Sequence, residues 1–452
     1  MLIVLLLMVL GISHMLITSR TSGGNPEVER QRKTFEALAQ AKQALIAWSV
    51  VQSDVHPSTQ KTKKKTEDEN GKEVEVEVDE FTYRRPGALP CPDGNFFGSA
   101  TSGNASGSCS ASGGTSLGRL PWKSIDAGNL RDAHGEVLWY AVSDNFRSRV
   151  DHNKAAINSD TKGTLKLFAA DGSTPITLDG EELAAVIIAP GPPLPGQNRI
   201  SELPGTTGNK IASEYLEAFN GKNNANAAGP FIMGPIKDSS GNLISNDLII
   251  GITARELIAA AEKRALNEAQ KALENYFYTN GRYPNPAHYN GPNCASPVND
   301  VKSITPLCTK TDDTHPDPPC AIKDTPPFIS LCASSSTVCS GRLPEDVLSP
   351  EALSPDIPFP YVAPWFIQNG WGRVMIYAIE DAGAGCPTSL NVGKIPKRYV
   401  LFTPGAARTK QNRPSKTLSN YLEDEANTDG WSGNFDFVVP GGESNDQLRT
   451  SP

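Results

Sequence analysis

The sequence has no CxxC pair, no P-loop, no dinucleotide fingerprint and no HExxH, and its six histidines (His14, His56, His134, His152, His288 and His315) are scattered. Zinc ribbons, thioredoxin-like sites, nucleotide-binding loops and zinc hydrolases each need one of those spacings, so none is a reading of this chain. Basic charge is lacking too: 42 Lys and Arg against 50 Asp and Glu leave a formal net charge of −8. A nucleic-acid binder shows a basic face, and none is visible here. Apolar residues are few, at 38%, whereas glycine and proline number 39 and 36 of 452 residues. That balance predicts a loop-rich chain of two or three domains with several modest cores.

Eight cysteines are present: Cys91, Cys109, Cys294, Cys308, Cys320, Cys332, Cys339 and Cys386. They sit in Pro-, Gly-, Ser- and Asn-rich loops with little core to hold them, which predicts disulfides in an oxidising compartment.

At the start, Met1 to Thr18 carries no Asp, Glu, Lys or Arg. Eighteen helical residues would span roughly 27 Å, enough for a bilayer core. The residues expected to pack there are Met1, Leu2, Leu5, Leu6, Val9, Leu10 and Leu16. No basic n-region precedes the run and no A-x-A site clearly follows, as an ordinary signal peptide requires. Either translation begins at another methionine, or a short basic leader has been trimmed from a retained apolar segment. Asn25 and Pro26 suit the N-cap and N1 of a second helix, on which Phe35, Leu38, Ala41, Leu45 and Trp48 form an apolar stripe. Gly23, Gly24 and Pro26 interrupt the join, so the expectation is one long, broken N-terminal helix, partly transmembrane.

The chain also repeats itself. AKQAL (41–45) returns as AQKAL (269–273), GRLP (118–121) as GRLP (341–344), and GEVLWYAV (135–142) as GRVMIYAI (372–379). AVIIAPG (185–191) returns as YVLFTPG (399–405), QNR (197–199) at 411–413, and YLE (215–217) at 421–423. Six matches in one order predict two copies of one module. The expected organisation is an apolar segment 1–24, module 1 over 25–252 with a hairpin insertion at 59–81, and module 2 over 253–452. Thr253 with Glu256 makes a capping box that starts the second module's helix. The strands VLWYAV, AAVIIA, VMIYAI and RYVLFT do not alternate with helices, so the fold class is α+β, helix on antiparallel sheet. In the insertion, Asn70-Gly71 signals a two-residue turn that sets Lys72 against Glu69, Glu77 against Lys64 and Glu80 against Lys61. That hairpin is either a solvated decoration or a docking strand for a neighbouring subunit. By analogy between copies, Cys91 pairs with Cys109 and Cys294 with Cys339, with no choice among the other four.

Candidate chemistry is thin. GTSLG (114–118) fits G-x-S-x-G, but a nucleophile elbow needs a strand before it and a helix after it, and here a Gly/Ser loop precedes and RLPW follows. No catalytic residue and no enzymatic activity are expected. Asp93 and Asn95 open a partial calcium-loop pattern, although Phe97 occupies a ligand position. Glu423, Asp424, Asn427 and Asp429 form a second oxygen-rich stretch, so calcium is the one cofactor considered.

The apolar-then-amphipathic N-terminus, the sheet strands and the cysteine-closed loops resemble the type IV pilin and type II secretion pseudopilin superfamily. The motifs ALAQAKQALIAW, RPGALPCPD, GRLPW, LWYAVSDNFR and IIAPGPPLPGQNR are similar to those of large pseudopilin-like proteins of Gram-negative bacteria. The resemblance implies an inner-membrane precursor trimmed by a prepilin peptidase. Assembly machinery would then build it into an extracellular or periplasmic filament. Such subunits usually carry Glu at mature position 5, where this sequence has Leu5. The expected function is therefore a structural filament subunit that self-associates. The alternative is a membrane-tethered adhesin or carbohydrate-binding protein, with Trp122, Trp365, Trp371 and Trp431 available to stack on sugars.

Overall fold

The computed structural model describes residues 26–51, 56–67, 73–82, 86–94, 100–106, 109, 116–148, 157–178, 181–199, 211–291, 294, 332–348, 361–380, 386–413, 415, 417–430, 434–442 and 444–452. The fold is α+β, with many small sheets. Two long helices lead it: α1 (Pro26–Val50) and α2 (Ala254–Asn280). The strands that matter below are β1 (His56–Glu67), β2 (Glu73–Thr82), β3 (Ser116–Arg119), β4 (Trp139–Val142), β5 (Leu183–Ala189), β6 (Leu248–Thr253), β7 (Ser340–Arg342), β8 (Ile376–Ile379), β9 (Leu390–Val392), β10 (Ile395–Lys397), β11 (Tyr399–Thr403), β12 (Asp436–Phe437) and β13 (Gln447–Thr450).

The expected long, partly transmembrane N-terminal helix is corrected. The first described helix begins at Pro26, and no helix among the described residues is long and apolar enough to cross a membrane. The segment 1–24, with Met1, Leu2, Leu5, Leu6, Val9, Leu10 and Leu16, lies outside the described residues. The stripe of α1 also shifts: Thr34, Ala37, Leu38, Ala41, Leu45 and Ser49 are buried, whereas Phe35 is 48% exposed. Thr34 takes the inward place because its hydroxyl accepts a hydrogen bond from the Ala133 N–H, 3.1 Å.

Two four-stranded antiparallel sheets carry the cores. One runs β6-β5-β4-β3, the other β13-β11-β8-β7. Helix α1 packs on the first, with Leu38, Ala41 and Leu45 against Tyr140, Val142, Ala185 and Ile187. Helix α2 starts in that same core through Leu257 and Ile258, then crosses to the second, where Ala265, Leu266, Ala269 and Leu273 meet Tyr377, Tyr399 and Leu401. Its start carries the capping box, in which the Thr253 hydroxyl accepts from the Glu256 N–H. The α1 C-terminus is closed by α2, since Arg264 Nη1 donates to the Val50 carbonyl at 2.8 Å, the partner an unsatisfied helix end needs.

Repeated residues make repeated contacts. The Tyr140 hydroxyl donates to the Pro90 carbonyl and the Tyr377 hydroxyl to the Pro284 carbonyl, both at 3.1 Å. Each GRLP strand bonds a Pro-rich loop, Arg119 pairing with Asp93 and Arg342 with Ala287. Its glycine lets that loop approach: a Cβ on Gly118 would lie 2.7 Å from the Asp93 carbonyl oxygen, and one on Gly341 would collide with that of Ala287.

Cys91 bonds Cys109, but the expected Cys294–Cys339 bond is replaced by Cys294–Cys332 and Cys339–Cys386. The backbone decides this. The Ala287–Ser334 bridge and the Ser335 N–H to Pro286 bond lay the Cys332 loop on that of Cys294. Cys339 instead leads into β7 and accepts from the Ile379 N–H at the end of β8, the end from which the chain goes on to Cys386. Cys308 and Cys320 lie outside the described residues. In the insertion, the expected hairpin register is off by one: β1 and β2 pair Lys61 with Asp79, Lys63 with Glu77 and Lys65 with Glu75. Each register sets three lysines against three acids, but in this one the pairs fall at alternate positions, 61, 63 and 65, so that successive pairs are neighbours.

Candidate functional site

The residues that gather most densely come from the second half of each repeat. In the first, the strand β5 ends at Pro190-Gly191, and Gly191 has φ +60°. Arg199 turns back under this corner. It donates to the carbonyls of Gly191 (2.6 Å), Glu214 (3.1 Å) and Tyr215 (3.0 Å) and to Gln197 Oε1 (2.7 Å), and lies over the Tyr215 ring at 5.1 Å. Gln197 Nε2 then donates to Glu217 Oε1 at 2.6 Å. Glu217 Oε2 accepts from the Asn246 N–H (3.0 Å) and Ser245 Oγ (3.3 Å), while Asp247 Oδ2 accepts from the Glu217 N–H (2.9 Å).

In the second, β11 ends at Pro404-Gly405, with Gly405 at φ +64°. Arg413 donates to Gly405 O (2.6 Å), Pro404 O (3.0 Å), Asn420 O (2.5 Å), Tyr421 O (3.2 Å) and Gln411 Oε1 (2.6 Å), and lies over the Tyr421 ring at 4.9 Å. Gln411 Nε2 donates to Glu423 Oε1 (2.9 Å). Glu423 Oε2 accepts from Ser444 Oγ (2.8 Å) and the Asn445 N–H (2.9 Å), and Asp446 Oδ2 from the Glu423 N–H (3.1 Å). A buried arginine thus closes a loop twice in the same way, by main-chain carbonyls and a carboxylate that keep its charge from being stranded.

One element of this arrangement escaped the sequence reading. Ser245-Asn246-Asp247 recurs as Ser444-Asn445-Asp446, and both sets supply the same three contacts. Asn246 Nδ2 and Asn445 Nδ2 each donate at 2.7 Å to a carbonyl just past the glycine corner, Pro192 and Ala406 respectively. The signal was a three-residue repeat with flanks that share no apolar pattern.

Burial pushes the Asp247 carboxyl well above the usual carboxylate range, and the Glu217 charge pushes it further. Glu217 is also raised by burial, against hydrogen bonds that favour its charge. In the second latch, burial and the Glu423 charge raise Asp446 to about 7. Asp247 Oδ1 and Asp446 Oδ1 each lack a hydrogen-bond partner among the described residues, which fits an oxygen that carries the proton.

The second latch is also roofed by the first half of the chain. The Ile157 N–H donates to Asn369 Oδ1 (3.0 Å) and Asn158 Nδ2 to the Asn369 carbonyl (2.8 Å). Next along, Ser159 Oγ donates to Glu262 Oε1, and Gln447 Nε2 reaches Glu262 Oε2 at 3.4 Å. Glu262 is wholly buried on α2, and burial raises its carboxyl to about 8, opposed by the Ser159 bond and the Arg413 charge and helped by Asp446. Asp160, raised by burial, faces Arg413, Arg342 and Tyr421.

The expected calcium residues do not converge. Asp93 Oδ2 accepts from the Gly103 N–H at 2.7 Å, and Asn95 lies outside the described residues. Glu423 belongs to the latch, Asp424 caps the short helix Glu425–Asp429, and Asn427 Oδ1 accepts from the Val438 N–H at 2.8 Å. Asp429 ends that helix. Among the described residues no group of three potential ligands could hold a metal ion. Ser116 opens strand β3 and is followed by strand, not helix. Trp365 and Trp371 are buried in the second core, where no sugar can reach them, Trp122 is half-buried against the first, and Trp431 lies outside the described residues.

No family model, no curated protein and no solved structure matches this chain.

Proposed function

We propose that the protein is a structural, non-enzymatic subunit that self-associates into a pilus-like or pseudopilus-like filament outside the inner membrane. The reading is supported most by the twin latches. The perturbed ionisable groups of a working active site face a cleft open to substrate. Here Asp247 and Glu262 are wholly buried and turned onto the chain's own backbone and side chains, and Asp446, which borders an open groove, spends its Oδ2 on the Glu423 N–H. Arginine and carboxylate are used to pin two loops and to join two sheets into one body through α2. The disulfides and the motif resemblance point the same way, to a stapled subunit of the envelope or cell surface. Electron microscopy of the purified full chain, and of material sheared from cells that express it, tests the reading. Fibres of constant diameter that contain the chain support it, and a protein that stays monomeric at every concentration refutes it.

A further inference from the structure

The second sheet ends in an open edge. Strand β13 pairs with β11 on one side and, among the described residues, with no strand on the other. The Ser451 N–H bonds the Tyr399 carbonyl, so by antiparallel alternation Gln447 and Arg449 also turn their main chain to β11, and Leu448 and Thr450 turn theirs outward. Along this edge runs an open cavity of about 930 Å³, whose lining includes Lys263, Ile395, Lys397, Val439, Arg449 and Thr450.

The two walls differ in chemistry. On the helix side stand Lys263 and Arg449, the latter bonded through Nη2 to Asn267 of α2 at 3.0 Å. On the other stand Ile395 and Val439, 60% and 67% exposed. Arg449 Nη1 also covers the outward Leu448 carbonyl at 2.9 Å. A cation over an edge strand turns away most strands. An acidic strand can draw that guanidinium off and take its place.

The same chain carries a strand of matching character. β2 reads Glu73-Val74-Glu75-Val76-Glu77-Val78-Asp79, and its only strand partner among the described residues is β1. Its sequence alternates acids with valines. That is the pattern the walls ask for: acids toward Lys263 and Arg449, valines toward Ile395 and Val439. The lining's one acid, Asp446, is engaged in the latch.

We propose that this groove accepts strand β2 of a second copy, which adds to β13 as a fifth strand of the sheet. Donor and acceptor are different surfaces, so the contact is head-to-tail and propagates rather than closing as a two-fold dimer. The proposal rests on the filament reading and supplies one of its contacts.

Charge exchange tests it on the full chain. In one variant Lys63→Glu, Lys65→Glu, Glu75→Lys and Glu77→Lys swap the hairpin's charges while keeping opposite signs across its strands. In the other Lys263→Glu and Arg449→Glu reverse the acceptor. Circular dichroism checks that both fold, and sedimentation velocity reads association. Each variant alone should associate at least tenfold more weakly than the wild type, and salt near 1 M should weaken the wild type likewise. An equimolar mixture should recover assembly, because each swapped surface then meets a complementary one. Wild-type assembly by either variant, or a mixture that stays dissociated, overturns the strand contact and leaves the filament reading standing. A wild type that never associates overturns both.

Discussion

Glu262→Gln isolates the charge buried where the two halves meet. In the unfolded chain this carboxyl titrates near 4.5, and in the folded protein near 8, chiefly because burial disfavours the anion. Between those values the folded state holds a proton that the unfolded state has released. Stability is therefore full below about pH 4.5, falls as pH rises through about 8, and is level above that. At about 1.4 kcal/mol per pH unit, the loss attributable to this group is on the order of 5 kcal/mol. Asp446, raised to about 7, adds a loss of the same sign and is coupled to Glu262 by its charge. Glutamine is the neutral isostere: its Oε1 still accepts from Ser159, and rotation of the Gln447 amide supplies an acceptor for its Nε2. Urea unfolding with disulfides intact, at about pH 5.5, 7 and 9, measures the effect. At the lowest pH the wild type has already lost about 1.4 kcal/mol, and the variant's advantage should grow by roughly 3 kcal/mol between the lowest pH and the highest. Equal pH slopes in the two proteins, or a variant uniformly weaker at all three values, would refute the assignment of a neutral Glu262 in the folded state.

Replacing Arg413 by Met removes its bonds to the Pro404, Gly405, Asn420 and Tyr421 carbonyls and one of the cations near Asp160 and Glu423, and should cost about 3–5 kcal/mol, and Arg199→Met should cost a similar amount through its own carbonyl bonds and Glu217; unfolding midpoints that move in only one copy would deny the latches a common role. Gly405→Ala should destabilise by about 1–3 kcal/mol, since Gly405 sits at φ +64° and a Cβ there meets the Asn445 side chain. Tyr377→Phe and Tyr140→Phe should each cost about 1 kcal/mol, the net worth of one buried hydrogen bond, with fluorescence-detected unfolding as the readout. Peptide mapping without reduction should recover Cys294 linked to Cys332 and Cys339 linked to Cys386; a Cys294–Cys339 peptide would contradict the loop packing described above.

The sheet strands and the start of α2 were legible because each is a local signal. WYAV and IYAI are short apolar β-formers, and Thr253 with Glu256 reads as a cap without reference to anything distant. Cys91–Cys109 was legible, but the disulfide partners of Cys294 and Cys339 were not, because analogy between copies ignores how far each Pro-rich loop travels before it meets the sheet. The hairpin register slipped for a related reason: a two-residue turn at Asn70-Gly71 implies one register, and since both registers offer three Lys–acid pairs, a count of charges does not choose between them. Of the latch, PG, QNR and YLE were visible as repeats, but their purpose was not. That Arg199 should bond Gly191 and Tyr215 depends on a corner that exists only after β5 and β6 have paired.

The two latches share an architecture and differ in what lies over them, and that difference bears on how the halves are joined. The first is closed by its own half: Arg199 meets Glu136 at 3.3 Å and Glu217 at 3.9 Å. The second borrows Asp160 from the first half and sits beside Glu262 on the helix that both cores share. Burial lowers the Arg413 pKa, and the charges of Asp160, Glu423 and Glu262 raise it again. If Glu262 and Asp446 were both charged, four carboxylates, Asp160 and Glu423 included, would crowd around Arg413, with Arg342 near Asp160 and Arg408 near Glu423 as the other cations. With protons on Glu262 and Asp446 the balance is restored, and the joint is then held by neutral hydrogen bonds and apolar packing. Breaking the joint by alkali should thus come before unfolding of either sheet. Proteolysis at about pH 9 should cut first near the Ile157–Asp160 segment in the wild type and spare it in Glu262→Gln. Protection that is equal in the two proteins would separate the integrity of the joint from the proton on Glu262.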